Sequence, residues 1–183
     1  MNKRVFVMGV DPGATGAFVV LKADRCPSFY CLGDGPKNDA DWQGSILLIR
    51  ELRPRLAVLE RQQYMSRDGR REGGKSAFSL GENYGMWLGA LAALGVETVT
   101  VPPSAWQKYV YNGGATGDPK ERSLRRAREL FPKLPLIPHG CRTPRHGRSD
   151  AALIALYGVG ILAKRGIIDA RSEAGNEEDE PTQ

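Results

Sequence analysis

The chain has 183 residues, 41% of them hydrophobic, which is enough for one domain with a buried core. Its formal charge of +5 is uneven, because residues 171–183 hold one Arg and five acids while residues 1–170 hold 25 basic and 16 acidic residues, a charge of +9. No apolar run reaches the roughly 18 residues of a membrane helix, the N-terminus lacks a signal-peptide pattern, and three Cys without a CxxC pair argue against disulfides or structural zinc. We therefore expect a soluble, cytoplasmic protein with a polyanionic partner and no membrane association.

The N-terminal half predicts Val-rich strands and one amphipathic helix. Two apolar segments flank the turn DPGATG, which indicates a β-hairpin that a third strand extends. Apolar residues at helical spacing up to Pro54 predict a helix, and the apolar run LAVLE predicts another strand. The Arg- and Gly-rich segment after it predicts a loop. In chain order these are strands 4–10, 17–23 and 28–33, helix 41–53, strand 56–60 and loop 61–75.

The C-terminal half predicts mainly helices. A long apolar segment that ends at Gly95 precedes the strand ETVTV, and Asp118 with Pro119 has the pattern of an N-cap and first helical residue. The last helix is apolar on most faces, which predicts that it is packed inside. In chain order these are helix 76–95, strand 97–101, and helices 103–110, 118–131 and 149–166. The whole predicts one α/β domain over 1–168 and an acidic, disordered tail over 169–183.

Three acidic residues stand where this fold would bring them together. Asp11 and Glu60 each end a strand, and Asp150 lies in the first turn predicted for the last helix. Because parallel strands end at the same edge of a sheet, we expect the carboxylates to converge and to repel one another unless a cation lies between them. Hard divalent ions, above all Mg²⁺, prefer such oxygen ligands, and two of them would support phosphodiester hydrolysis. Each acid taken alone also fits an ordinary turn or helix end.

Four segments in this order resemble RuvC-type Holliday junction resolvases of bacteria and their phages: GVDPGATGA, VLE, PPSAWQKYV and RSDAALIAL. The resemblance covers about residues 4–165. It implies an RNase H-like fold with a mixed five-stranded sheet flanked by helices, and a homodimer that makes paired nicks in four-way DNA junctions by a two-metal-ion mechanism with Mg²⁺. It also implies Asp11, Glu60 and Asp150 as catalytic metal ligands, and a location in the bacterial cytoplasm, that of the host for a phage protein.

The chain departs from the family at one catalytic position. The family usually supplies a fourth acid three or four residues before the last one, where this chain has Gly147 and His146. We predict that His146 is catalytic, as a metal ligand, a group that positions water or a proton shuttle; the alternative is an exposed residue or phosphate contact. Because imidazole is softer than carboxylate, Mn²⁺ is an expected substitute for Mg²⁺.

Basic residues are predicted to hold DNA. Lys108 and Lys120 match lysines that the family uses near the scissile phosphate; the alternative is that both contact only backbone phosphates. Residues 103–148 include ten Lys and Arg but only three Asp and Glu. On loop 61–75 an aromatic residue, Tyr64, is expected to stack on an unpaired base or else to pack on its own domain. The predicted DNA-binding residues are Arg61, Tyr64, Arg67, Arg70, Arg71, Lys75, Arg122, Arg125, Arg126, Arg145 and Arg148.

A stripe of three glycines at four-residue spacing lies in the long helix. Each glycine costs about 1 kcal/mol relative to Ala inside a helix, so something is expected to pack closely there. The candidates are a two-fold mate and the chain's own sheet. The predicted dimer interface is Gly81, Tyr84, Gly85, Leu88 and Gly89.

Three other functions stay open at this stage. DPGATG also resembles the phosphate-binding turn of actin-like kinases and ATPases, but the chain lacks their second Asp-Gly turn and adenosine-binding Gly pair, so no nucleotide cofactor is expected. A junction-binding protein without cleavage is consistent with the missing fourth acid. A nuclease that acts on flaps or forks would use the same residues.

Overall fold

A computed structural model describes residues 4–13, 15–24, 27–34, 39–62, 74–112 and 117–168. Its five strands form one mixed sheet with the order β3-β2-β1-β4-β5. The strands β1, β2 and β3 pair antiparallel as a meander, while β1, β4 and β5 run parallel. The predicted mixed five-stranded sheet is confirmed. The strands are β1 (Phe6–Asp11), β2 (Ala17–Lys22), β3 (Ser28–Asp34), β4 (Leu56–Glu60) and β5 (Thr98–Val101).

Five helices flank this sheet in the described residues. They are α1 (Asp39–Leu52), α2 (Gly74–Ala93), α3 (Pro103–Tyr111), α4 (Pro119–Leu130) and α5 (His146–Lys164). The predicted cap of α4 is confirmed, since the Asp118 carboxylate accepts hydrogen bonds from the amides of Lys120 and Glu121 at 2.9 and 3.1 Å. None of the described helices is long and apolar enough to cross a bilayer. Most of loop 61–75 and all of the tail 169–183 lie outside the described residues.

Two hydrophobic cores lie on opposite faces of the sheet, because side chains alternate along each strand. On one face, Val7 and its neighbours pack against α3, α4 and α5. On the other face, Met8 and Val10 pack against α1 and α2, where Trp87 contacts Trp42 at a ring distance of 4.9 Å. The first core therefore lies on the same face as Asp11, which follows Val7 at an even spacing.

Helix α5 packs directly against β1 through two glycines. A Cβ on Gly9 would overlap the carbonyl oxygen of Ala151 and the amide nitrogen of Ala155, and a Cβ on Gly158 would lie 2.6 Å from Val7 Cγ1. Most of α5 is buried, as its apolar sequence predicts. This close approach fixes the position of α5 relative to the ends of β1 and β4.

We expect Gly9→Ala to destabilise the protein by roughly 3 kcal/mol, because the atoms that the new methyl group meets are backbone of α5 and cannot move aside. The matched control is Gly44→Ala in α1, where an added Cβ meets nothing within 4 Å and should stabilise the helix by about 1 kcal/mol. Urea unfolding followed by circular dichroism measures both changes. Equal midpoints for Gly9→Ala and the unsubstituted protein would contradict the packing described above.

Candidate active site

Two carboxylates meet at the end of the sheet because β1 and β4 are parallel and in register. Val10 lies opposite Leu59, so the residues that follow, Asp11 and Glu60, lie side by side. Both side chains lie on the face of the sheet that packs against α5. Side chains alternate along a strand, and Val7 and Val58, at even spacing from these acids, are buried in the core on that face. The predicted convergence of the two strand ends follows from this register.

The turn after Asp11 is built from small residues that leave space around its carboxylate. Asp11 Oδ1 accepts a hydrogen bond from the amide of Gly13 at 2.9 Å, and the amide of Gly16 closes the turn on the carbonyl oxygen of Gly13 at 2.9 Å. A Cβ on Gly147 would lie 3.0 Å from Asp11 Oδ2 and would overlap the carbonyl oxygen of Thr15. The first turn of α5 therefore lies directly against Asp11.

Helix α5 begins at His146 and not at residue 149, which corrects the predicted boundary. Asp150 is consequently the fifth residue of the helix and not part of its first turn, and His146 is the first helical residue and not part of a loop. Gly147 lies in the first turn of this helix, and only glycine fits there because a Cβ would overlap the turn after Asp11.

Neighbouring helices hold the other two carboxylates by hydrogen bonds. The indole nitrogen Nε1 of Trp106 in α3 donates to Glu60 Oε1 at 3.0 Å. The hydroxyl of Ser123 in α4 donates to Asp150 Oδ1 and also lies 3.3 Å from Ser149 Oγ. Neither Trp106 nor Ser123 was predicted as a site residue. Trp106 lies inside the motif PPSAWQKYV, which was a usable signal, whereas nothing near Ser123 marks it.

All three carboxylates lie in surroundings that disfavour their charge. Burial raises the pKa of Asp11 to about 6, which the Gly13 amide opposes and the charge of Asp150 reinforces. Burial raises the pKa of Glu60 to about 7, with further increases from Asp11 and Asp150 and an opposing effect of the Trp106 hydrogen bond. Burial likewise raises the pKa of Asp150 to about 6 against the Ser123 hydrogen bond. The three acids are therefore close enough to repel one another.

The residues fit a divalent cation by their chemistry. His146 lies one helical turn before Asp150 and has a buried Nδ1 atom without a hydrogen-bond partner among the described residues. The three carboxylates are costly to ionise in their buried surroundings. No three His, Cys, Asp or Glu side chains of the described segments surround a single point, since Glu60 turns to Trp106 and Asp150 to Ser123. The carboxylates would have to rotate from these partners to bind an ion together.

The two lysines that were predicted to be catalytic lie on different helices, α3 and α4. Lys120 precedes Ser123 by three residues and so lies on the side of α4 that contacts Asp150. Lys108 follows Trp106 by two residues, which places it on the opposite side of α3, where it lines a groove with residues of α5. The side of α3 that carries Lys108 is therefore not the side from which Trp106 binds Glu60.

The predicted DNA-binding arginines of the C-terminal half differ in accessibility. Arg125 is exposed and lies 4.0 Å from Glu129, and Arg145 is partly exposed at the N-cap of α5. Arg126 binds the carbonyl oxygen of Val110 at 3.1 Å, and Arg122 lies 4.5 Å above the ring of Tyr111. These contacts hold two of the four side chains against the protein.

Arg148 was predicted to contact DNA, and that prediction is wrong. Its side chain is only 10% exposed and forms two hydrogen bonds to the Asp34 carboxylate at 2.6 and 2.9 Å. It also donates to the carbonyl oxygen of Pro135. A buried ion pair of this kind joins β3, α5 and the segment before α5, which leaves no free guanidinium for a phosphate.

The predicted residues of loop 61–75 are mostly outside the described residues. Arg61 is exposed at the end of β4, and its amide donates to the carbonyl oxygen of Val101 at 2.7 Å. Lys75 belongs to the first turn of α2, with its side chain outside the described part. Tyr64, Arg67, Arg70 and Arg71 are outside it altogether.

The glycine stripe of α2 faces away from its own sheet. A Cβ on Gly81, Gly85 or Gly89 would meet no atom of the described residues within 4 Å, so the alternative of close packing on the described sheet is wrong. Tyr84 and Leu88, also predicted for the interface, are partly buried against the core beneath α2. Phe78 and Met86 are 71% and 40% exposed on this helix. The stripe is therefore open at the surface.

The chain is similar to several proteins that are named as Holliday junction resolvases. No family model matches the chain. A 97-residue stretch, 52% of this chain, is 35% identical to the chloroplastic Holliday junction resolvase MOC1 of Chlamydomonas reinhardtii, of which it spans only 10%. Thermus thermophilus RuvC in complex with a Holliday junction substrate matches 88% of this chain and 96% of its own, with a TM-score of 0.62 and 21% identity. The yeast mitochondrial Holliday junction resolvase Ydc2 matches 88% of this chain and 80% of its own, with a TM-score of 0.60 and 15% identity. The chain therefore has the RuvC fold, and the predicted RNase H-like fold is confirmed.

The metal-free protein is expected to lose stability as the pH rises from about 4 to above 7. Because the pKa values of Asp11, Glu60 and Asp150 are raised in the folded state, the folded protein binds more protons than the unfolded chain in this range, and ionisation costs about 3 kcal/mol for a group shifted by two pH units. At pH 8 in EDTA, Asp11→Asn should therefore raise the melting temperature. Adding Mg²⁺ should stabilise the unsubstituted protein more than this variant.

The control for that experiment is Glu51→Gln, which removes an exposed carboxylate from α1 on the opposite face of the sheet. It should leave the melting temperature and its response to Mg²⁺ unchanged. Thermal unfolding at pH 5 and pH 8, with and without Mg²⁺, measures all three proteins. A melting temperature of Asp11→Asn at or below that of the unsubstituted protein at pH 8 in EDTA would contradict the cost of the buried charge.

Proposed function

We propose that this chain is a structure-selective DNA endonuclease that resolves four-way junctions by divalent-metal-dependent phosphodiester hydrolysis. The observation that carries the proposal is the set of buried carboxylates with raised pKa values where β1 and β4 end, in a sheet with the RuvC fold. His146, one helical turn before Asp150, adds a buried Nδ1 atom that has no hydrogen-bond partner among the described residues. The proteins that resemble the chain are named as Holliday junction resolvases, and one of the solved structures holds a junction substrate.

In this proposal Asp11, Glu60, Asp150 and His146 hold the cations. Two bound Mg²⁺ ions would activate a water molecule and neutralise charge on the leaving oxygen, and Mn²⁺ would substitute because of the imidazole ligand. The closeness of Asp11 and Glu60, which follows from the register of β1 and β4, supports this arrangement. No nucleotide takes part in it, and a cytoplasmic location stays a prediction.

The residues around the carboxylates have separate tasks in the proposal. Trp106 and Ser123 hold Glu60 and Asp150 by the hydrogen bonds described above. Rotation away from these partners would turn the carboxylates to a cation. Lys120, on the Ser123 side of α4, stabilises the negative charge that develops on the scissile phosphate. Exposed arginines such as Arg61, Arg125 and Arg145 bind backbone phosphates and contribute no base recognition.

We further propose that the chain acts as a homodimer through the glycine stripe of α2. The stripe and the exposed side chains Phe78 and Met86 offer an open, largely apolar helix face to a two-fold mate. A two-fold dimer would present two carboxylate sites to symmetric strands of one junction, which accounts for paired nicks.

Glu60→Gln is expected to lower the rate of junction cleavage in Mg²⁺ by more than about 100-fold, because it removes a carboxylate from the site but keeps the shape and the hydrogen bond from Trp106. Junction binding should be unchanged, since the basic surface is intact. Single-turnover cleavage of a synthetic junction, a flap, a fork and a duplex measures the rates with each metal, and Glu51→Gln is the control.

The same substrate panel separates the alternatives. Preferential cleavage of the junction with Mg²⁺ or Mn²⁺ supports a resolvase, and faster cleavage of the flap or fork would identify the other nuclease. Tight junction binding without cleavage in any metal would identify a binding protein. A normal rate for Glu60→Gln would refute the assignment of the site.

Gly85→Arg should convert the dimer to a monomer, because the new side chain would stand in the middle of the open stripe without disturbing the fold of its own chain. Light scattering measures the mass, and a cruciform plasmid distinguishes linear product from single nicks. Gly44→Arg on α1, a position that is equally open, is the control and should stay dimeric. Dimers of Gly85→Arg with unchanged mass would exclude this interface.

A further inference from the structure

A groove separate from the carboxylates lies between α3, α4 and the C-terminal half of α5. Its volume is about 1030 Å³, and α5 contributes residues from Leu156 to Lys164. Asp150 lies in the second turn of α5, so the first of these residues is about 9 Å further along the helix axis. The groove and the carboxylates thus share one face of the sheet and occupy different parts of it.

Basic side chains outnumber acidic ones along the groove, and two of the basic ones have no ion-pair partner among the described residues. Lys108 and Lys164 are exposed and form no ion pair among the described residues. Arg126 also lines the groove, although it is shared with the carbonyl oxygen of Val110 and the Glu129 carboxylate. The lining acid, Asp24, is paired with Lys22 at 2.6 Å. Two lysines are therefore available to an anion.

Two aromatic rings also line the groove. Tyr109 and Tyr157 pack edge to face with 5.5 Å between ring centroids, and Tyr109 is 41% exposed. Gly160 makes this possible, because a Cβ there would overlap the Tyr109 hydroxyl. Since Tyr157, Gly160 and Lys164 recur at three- and four-residue spacing, they share one face of α5. The ring of Tyr109 therefore packs against the face of α5 that also carries Lys164.

We propose that this groove binds one unpaired DNA strand, with backbone phosphates at Lys108 and Lys164 and a base stacked on Tyr109. Cations that follow a backbone combined with an aromatic side chain are the features of single-strand binding sites. The inference rests on the proposed function only in taking DNA as the ligand. It gives Lys108 a strand-binding task that agrees with its position on the side of α3 opposite Trp106.

The test measures binding of a fluorescein-labelled 15-nucleotide oligo-dT to the full-length protein in EDTA, as a function of salt. Lys164→Gln should weaken binding and reduce the slope of log affinity against log salt by about 0.7, the value for one phosphate contact on a single strand. Tyr109→Leu should weaken binding about tenfold with little change in slope, because stacking carries no charge. Thermal unfolding checks that each variant is folded.

The matched control is Arg50→Gln, since Arg50 is the basic residue in the last turn of α1 as Lys164 is in the last turn of α5. Arg50 lies on a helix of the opposite face of the sheet and should not alter the slope. Equal slopes for Lys164→Gln and Arg50→Gln would overturn the proposal, even if Tyr109→Leu failed to fold. The acidic segment of the chain itself is the other occupant to test, by replacing Glu177, Glu178, Asp179 and Glu180 with amides. If Lys164→Gln no longer weakens DNA binding in that background, the groove binds the acidic segment and the proposal is overturned.

Junction cleavage by the unsubstituted protein distinguishes this inference from the proposed function. Junction cleavage together with equal salt slopes for Lys164→Gln and Arg50→Gln would refute strand binding in the groove but not the proposed nuclease function. A reduced slope for Lys164→Gln without cleavage of any substrate supports the groove and refutes the nuclease.

Discussion

The contact between α5 and β1 is the constraint on which the site depends. Gly9 and Gly158 remove the side chains that would separate the helix from the strand, and Gly147 does the same at the turn after Asp11. Through this contact Asp150 and His146 reach the end of a sheet to which they do not belong. A helix one side chain further away would leave Asp11 and Glu60 without the third carboxylate, whose charge acts on both of them.

The same contact makes the site costly to the fold. Burial raises the pKa of all three acids, so the folded protein at neutral pH holds charges that water would solvate better. Hydrogen bonds from Gly13, Trp106 and Ser123 offset part of that cost. In the proposed function, a bound cation would offset the remaining cost, because it would neutralise the buried charges.

The basic residues show where sequence patterns stop being informative. Arg148 and Arg125 belong to the same run of positive charge, yet one is buried in an ion pair with Asp34 and the other is exposed. Lys108 and Lys120 were both predicted to lie near the scissile phosphate, but Lys108 lines a groove with residues of α5, whereas Lys120 lies on the side of α4 that carries Ser123. A count of charges gives the sign of the surface, whereas the partner of Arg148 is 114 residues away in the sequence and becomes its neighbour only in the folded chain.

Local signals in the sequence determined the strand and helix order, the Asp118 cap, the apolar character of α5 and the three acids, because alternation, capping and composition act over a few residues. Only the tertiary structure decided that α5 begins at His146, that Trp106 and Ser123 hold Glu60 and Asp150, and that the glycine stripe is open. Each of these depends on how far apart two packed elements lie. That distance is set by side-chain volumes on both elements at once, and no single stretch of sequence contains it.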